Sequence, residues 1–335
     1  MSRLIIPEGY SPRLGAYETQ TAIGLIKHSF ELNLCRALNL KRASAPLFVS
    51  GGRGLNDDLN GVERPVVFDI KETGEHAEVV HSLAKWKRLA LKKYGFHPGE
   101  GIYTDMNAIR RDEELDNLHS VYVDQWDWER IMLPDERNLE FLKEIVIKIA
   151  NAVCDTSDIV TRVYPNVRCS ISRDVSFITA QELEDMYPDR TPKERENAYL
   201  KQHPTTFIIG IGDTLKSGQR HDGRAPDYDD WNLNGDLLMW SDVLGCAFEL
   251  SSMGIRVNAE VLKEQLKKSG CEWRSGLEFH KTLLAGLLPQ TIGGGIGQSR
   301  LCMLLLGKAH IGEVQVSVWD DATIKGCRDA GIPLL

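Results

Sequence analysis

The sequence predicts an α+β protein, with strands and helices interleaved along the chain. Three stretches carry that expectation. Residues 120–131 alternate strictly, as a strand with two chemically different faces does. Residues 66–70 and 77–80 are two apolar-centred runs joined by a polar turn, the pattern of a hairpin. Residues 293–297 place four glycines in five positions ahead of the apolar run Leu301-Cys302-Met303-Leu304-Leu305-Leu306, which reads as a turn feeding a buried helix. Glycine costs backbone entropy inside regular structure, so this run is expected to be a tight strand-to-helix junction with positive φ angles, not an element interior. Stripped of side chains, with Arg300 in the first turn of the helix behind it, such a turn also lets a flat or anionic ligand lie against the main chain. Two phosphate motifs are excluded. The sixth position of a dinucleotide fingerprint falls on Gln298 or Arg300, and no Gly-Lys-Ser/Thr triplet occurs.

The totals bound the function. A chain of 335 residues, 42% hydrophobic and 26% charged, is an ordinary globular protein. A net charge of -8 argues against a dedicated nucleic-acid binder, so no nucleic-acid partner is expected. The first dozen residues carry no sustained apolar run, so no secretory leader is expected, and no stretch is long and apolar enough for a membrane span. Seven scattered cysteines with no Cys-x-x-Cys pair point away from metal clusters and disulfides and toward a reducing, cytoplasmic setting.

Taken in order, residues 17–40 form a helix, with Ile23, Ile26, Phe30, Leu34 and Leu38 at three- and four-residue steps. Residues 40–50 turn extended around Pro46. Residues 51–61, with Asn56, Asp57, Asp58 and Asn60, are a solvated loop or a ligand-gripping one. Residues 81–94 are a helix rich in Lys85, Lys87, Arg88, Lys92 and Lys93, either a solvated face or one that turns one or two cations inward to hold an anion. Residues 102–111 are a strand ending in the charged turn Arg110-Arg111-Asp112-Glu113-Glu114.

In 120–131, Val121, Val123, Gln125, Asp127 and Glu129 share one face, and Tyr122, Asp124, Trp126, Trp128 and Arg130 the other. The aromatic face can pack on a helix layer. Three polar residues in line are costly to bury without partners, so the first face meets solvent or lines a polar pocket, and the aromatic back favours the pocket.

Residues 135–152 and 179–186 are helices and 206–211 a strand. Residues 220–231 pack charges of both signs and are expected to be a site loop, not a core element. Residues 235–240 are apolar with Asp236 at their start. In 247–257 alternation points Glu249 and Ser251 the same way, and a glutamate there is an odd core choice but a sensible metal or substrate ligand. Helices follow at 261–268 and 277–285, and a last strand at 314–319. No repeat, low-complexity segment or linker divides the chain, so residues 1–335 are expected to form one catalytic domain. Arginines and carboxylates on one face of an antiparallel sheet are chemically suited to ATP and Mg²⁺, because arginine grips phosphate bidentately and Mg²⁺ takes one or two carboxylates with phosphate oxygens.

Five stretches closely resemble ammonia-dependent asparagine synthetase, the aspartate–ammonia ligase family. They are EVVHSLAKWKR (78–88), HSVYVDQWDWER (119–130), RHDGRAPDYDDW (220–231), FELSSMGIR (248–256) and PQTIGGGIGQSR (289–300). The resemblance spans most of the chain. It implies a fold like the class II aminoacyl-tRNA synthetase catalytic core, a mostly antiparallel sheet flanked by helices, in a homodimer. Pro46 would lie in the dimer motif, Arg110 and Glu113 in the second motif, and Gly294, Gly295 and Arg300 in the third, on ATP.

The implied reaction activates the aspartate β-carboxylate as an adenylate, releasing pyrophosphate, and ammonia then displaces AMP to give asparagine. Arg110 would clamp the α-phosphate and β-carboxylate. Arg300 would stack on adenine or meet the γ-phosphate, with Arg224 a further nucleotide contact. Asp236 and Glu249, with Asp229 beside them, would hold Mg²⁺. Lys87 would pair with the substrate carboxylate, and Gln125 and Asp127 would accept its α-ammonium. Ser82, Ser251, Ser252 and Arg256 would be secondary contacts, and Asp57 would receive ammonia. Two departures stand out: the 51–60 loop lacks the family's aspartate and threonine–glutamine pair, and the stretch from Trp231 to Asp236 is short. A glutamine-dependent amidotransferase is disfavoured, because position 2 is serine and no cysteine lies near the start.

Overall fold

The computed structural model describes residues 4–57 and 63–335. Asp58 and Asn60, named above in the polar loop, lie outside the described residues. The first half of the chain runs α1 (Ala16–Leu38), β1 (Leu40–Arg42), β2 (Phe48–Ser50), β3 (Val67–Asp69), β4 (His76–Val79), α2 (Ala84–Lys93), β5 (Gly101–Ile109), β6 (Tyr122–Ile131) and α3 (Leu139–Val163). Then come β7 (Ser176–Thr179), α4 (Ala180–Met186), α5 (Pro192–Leu200), β8 (Thr205–Ile209), β9 (Asp229–Ser241), β10 (Cys246–Arg256), α6 (Ala259–Lys268), α7 (Glu278–Leu284), β11 (Thr291–Gly297), α8 (Gln298–Leu306) and α9 (Asp321–Asp329).

Eight strands form one sheet in the order β1-β5-β6-β11-β10-β9-β8-β7. The six middle strands are antiparallel to their neighbours, while β1 on β5 and β7 on β8 are parallel. The sheet is therefore mixed, antiparallel through its centre and parallel at both edges. The expected hairpin is present: β4 pairs antiparallel with β3 and with β2 in a separate three-stranded sheet.

The alternation of β6 is realised in the structure. Trp126 and Trp128 are buried with Phe30, Leu34, Leu142, Ile145 and Ile149 in the largest core, where α1, α3 and α8 cover one face of the sheet. The opposite face carries Gln125, Asp127 and Glu129, and α2 packs over it. No helix of the described residues is long and apolar enough to cross a membrane.

Several expectations need correction. The glycine run is strand, not turn: β11 runs through Gly297, and none of its glycines has a positive φ. The glycines are needed for space. Gly293 lies opposite Glu129, and a Cβ there would overlap the Glu129 carboxylate and the Arg256 guanidinium; a Cβ at Gly295 would overlap the Gln125 amide. Large polar side chains from the adjacent strands lie flat across the bare β11 backbone.

Strand β10 breaks alternation. A bulge between Glu249 and Ser251 leaves Leu250 as the extra residue, so Glu249 lies opposite Leu238 and Ser252 opposite Asp236. Glu249 thus shares a face with Ser252, not with Ser251, whose neighbours across the ladders are the core residues Leu237 and Ile296.

The 220–231 stretch is not wholly a loop outside the core: Ala225, Asp227 and Trp231 are buried, and β9 begins at Asp229. The 314–319 segment forms no strand and follows a short 3₁₀ turn, Ile311–Glu313. The helix expected at 135–152 starts at Leu139 on an Asn138 cap, whose side chain accepts the Phe141 N–H, and continues to Val163 through the polar stretch Asp155 to Asp158. Strand β7 and helices α5 and α9 have no counterpart among the sequence expectations.

Candidate active site

A cavity of about 400 Å³ opens on the α2 side of the sheet. Its floor is the centre of the sheet: Gln125 and Asp127 from β6, Gly294 and Gly295 from β11, Ser251 and Ser252 from β10, and Asp236 from β9. Ser82 and Ala84 contribute from the start of α2, Arg110 from the end of β5, Arg224, Tyr228 and Asp229 from the 220–229 stretch, and Arg300 from the first turn of α8. Residues predicted from five distant parts of the chain therefore meet in one place.

Beneath the floor lies a chain of charges of alternating sign. Lys87, fully buried, bonds the Asp127 carboxylate, the Trp128 carbonyl at 2.9 Å and the Gly294 carbonyl at 3.3 Å, with Glu129 Oε2 at 3.7 Å. Glu129 in turn takes Arg256 in a two-pronged contact, Nε at 3.1 Å and Nη2 at 2.7 Å. Arg256 also bonds Asp229, Arg224 Nε stands 3.8 Å from Asp229, and Arg224 donates to Asp236. Burial opposes the charge on Arg256, but Glu129 and Asp229 outweigh it and push the guanidinium well up. Burial likewise favours neutral Glu129, yet Arg256 and Lys87 hold it below the usual carboxylate range. For Lys87 burial wins and its pKa falls, against the pull of Asp127 and Glu129.

At the other end, Ser252 Oγ donates to Glu249 Oε1 at 3.0 Å, and Arg300 Nη1 reaches the Glu249 carbonyl at 3.0 Å and its Oε2 at 3.8 Å. Burial and the neighbouring Glu249 and Asp222 push Asp236 up to about 6, against Arg224. Burial opposes the charge on Glu249 too, but Arg300, Lys193 and Arg224 bring it down to about 2. Ser252 lies opposite Asp236 and bonds Glu249, so the two acids stand on one side of the cavity. That pair fits Mg²⁺, which takes few protein carboxylates and completes its shell with phosphate and water.

Arg110 is the least engaged cavity arginine: its nearest carboxylate is Glu113 at 4.0 Å, and its buried Nε has no hydrogen-bond partner among the described residues. Ser251 also touches the cavity, but its buried hydroxyl is likewise unpartnered.

Two expected site residues are not in the cavity wall. Lys87 is wholly buried and bonded to the Asp127 carboxylate and to the Trp128 and Gly294 carbonyls. Of the basic residues of α2, Lys85 and Lys87 turn inward and pair with protein carboxylates, and Arg88 donates to the Pro289 and Val257 carbonyls at 2.8 Å. Asp57 is buried, with its carbonyl on His81 Nδ1 at 2.9 Å and its charge close enough to act on Tyr228.

The cavity also includes residues that sequence reasoning leaves out: Tyr228, Asp222, Glu63, Ile311 and Gln315. Tyr228 and Asp222 sit inside a stretch already marked by its charge density. Ile311 and Gln315 come from an irregular segment that the sequence reads in part as a last strand, at 314–319, and not as a site.

The fold is like that of the solved asparaginyl-tRNA synthetases. Asparaginyl-tRNA synthetase from Pyrococcus horikoshii, solved with asparaginyl-adenylate, superposes with a TM-score of 0.63 at 16% identity, over 94% of this chain and 74% of that one. The profile of the family described as aspartate-ammonia ligase matches residues 17–331. The chain belongs to that family. It is 61% identical to the aspartate–ammonia ligase of Ruminiclostridium cellulolyticum over the full length of both chains, and 59% identical to that of Clostridium tetani over 99% of this chain and 98% of the other.

Proposed function

We propose that this protein makes L-asparagine from L-aspartate, ammonia and ATP, in one catalytic unit that spans the chain, through a β-aspartyl adenylate. The observation that carries the reading is Arg110: a cavity arginine whose buried Nε has no hydrogen-bond partner among the described residues, in the same cavity as the Gln125–Asp127 floor and the Asp236–Glu249 pair.

Asp127, fixed by Lys87 and by the Leu83 N–H at 3.2 Å, accepts the substrate α-ammonium together with the Gln125 amide oxygen. Arg110 sits where two anions must meet, the β-carboxylate and the α-phosphate, and its guanidinium offsets their repulsion. A carboxylate oxygen attacks the α-phosphorus, a P–O bond forms, the bond to the β-phosphate breaks, and pyrophosphate leaves. Neutral ammonia then attacks the acyl carbon, the C–O bond to AMP breaks, and a proton is lost from nitrogen. Asp57, whose carbonyl meets His81, is the acid assigned to the ammonia end; Arg300 and Arg224 serve the nucleotide. Mg²⁺, when bound by Asp236 and Glu249, would neutralise the phosphate oxygens.

A homodimer in the cytoplasm completes the reading. It is supported by the exposed Leu47, Phe48, Val67 and Phe68 on the small sheet next to Pro46, and light scattering on the purified protein tests it.

The deciding experiment is aspartate-dependent exchange of labelled pyrophosphate into ATP with Mg²⁺, followed by ammonia. Exchange, then AMP and asparagine in equal amounts, is expected. Exchange without asparagine would identify an amino-acid-activating enzyme with another acceptor. Absence of both exchange and asparagine would refute the reading.

A further inference from the structure

Behind the cavity lies a second buried charge cluster that the proposed chemistry does not use. Asp227 is completely buried and receives Lys85 Nζ at 3.1 Å, Arg274 Nη1 at 3.1 Å and His280 Nε2 at 2.9 Å. Burial works against its charge, but Lys85, His280 and Arg274 together hold it far below the usual carboxylate range. Three donors on one carboxylate are more than neutrality needs, and Lys85 also reaches a second acceptor, donating from Nζ to the Asn56 carbonyl at 3.1 Å.

Asn56 is the hub of the 51–57 segment. Its Oδ1 accepts the N–H groups of Asp57 and His81, both at 2.9 Å, and its Nδ2 donates to Glu78 and to the Val79 carbonyl, both at 3.2 Å. From His81 the chain passes directly to Ser82, in the cavity wall, and to Leu83, whose N–H holds Asp127. A second, apolar contact fixes the same segment: Gly54, at φ +71°, lies so close to Leu277 that a Cβ there would overlap its side chain. Leu277 sits between Arg274 and α7, which carries His280. The 51–57 segment is therefore seated by a polar tether and a close backbone contact, both leading to the same neighbourhood.

We propose that Lys85 is a positioning residue for the amino-acid end of the cavity: it ties the Asn56 carbonyl to Asp227, and so sets Asp57, Ser82 and the Asp127 contact against the wall that carries Tyr228. This rests on the proposed ligase reading.

The test compares Lys85→Met with the parent enzyme. The variant leaves Asp227 with Arg274 and His280, so the buried carboxylate keeps a cationic partner. The aspartate KM is expected to rise about tenfold or more, as loss of positioning does, with the ATP KM within about twofold, and asparagine formed per AMP released should fall below one. Gly54→Ala, which displaces the same segment without touching a charge, is expected to reproduce that pattern, and it decides the matter if Lys85→Met fails to fold. A folded Lys85→Met, or Gly54→Ala, with unchanged aspartate KM and unchanged product ratio would overturn the proposal, as would a lowered melting temperature with kinetics intact. A parent enzyme that makes no asparagine would instead bring down the ligase reading.

Discussion

Arg110 and Glu129 show how differently charged side chains behave in the same few ångströms. Arg110 has a buried Nε with no hydrogen-bond partner among the described residues, and its Nη1 stands 4.0 Å from Glu113. Arg110→Lys replaces a planar fork by a point charge, so kcat/KM for pyrophosphate exchange is expected to fall roughly a hundred- to a thousandfold with the melting temperature unchanged. Glu129 has the opposite role. It is fully buried between Arg256 and Lys87, and Glu129→Gln would leave two cations facing a neutral amide. Removing one partner of such a network is expected to cost about 3–5 kcal/mol of stability, read by chemical denaturation.

Strand β11 is the stretch most open to misreading, and the reason is physical. Glycine's backbone freedom favours turns, but here the absent Cβ matters more: Gln125, Glu129 and Arg256 occupy that space. Gly295→Ala is expected to leave the fold intact, since it meets the movable end of Gln125, and to raise the aspartate KM by about tenfold, in line with a displaced substrate contact. Alternation works on β6, where pairing is continuous on both sides, and places Gln125 and Asp127 correctly. It fails on β10, because a bulge is a property of the pairing and is silent in one strand's sequence. Charge density finds the 220–231 stretch but misjudges its depth, since its carboxylates are buried against arginines from other elements: Asp229 on Arg256, Asp230 on Arg137. The buried acceptors of Lys87, from β6 and β11, are not legible in the sequence, because a sequence names a cation without naming its acceptors.

At the scale of the whole molecule, the acid limit of stability should depend on a residue outside the cavity. His310 is fully buried, its Nδ1 accepts the Gly312 N–H at 3.0 Å, and its ring lies edge-on to Trp319. Burial brings its pKa down to about 4 from 6.5. The unfolded chain binds this proton first, so the stabilisation is complete above about pH 6.5 and is lost as pH falls toward 4, up to about 3 kcal/mol in all. Urea unfolding at a series of pH values should show that slope. His310→Asn, which retains a capping acceptor but does not titrate, is expected to flatten it.

The alternating charges under the cavity floor have a consequence for the speed of the chemistry. In water, bringing a carboxylate up to a phosphate requires many solvent dipoles to turn, and that rearrangement is part of the barrier. Here Lys87, Glu129, Arg256, Asp229, Arg224 and Asp236 are locked by one another before any substrate arrives. The field they set is paid for during folding, so little reorientation is left for the moment of reaction. Being buried, these charges are also poorly screened by salt, and added KCl should alter substrate capture at the cavity mouth far more than turnover at its floor.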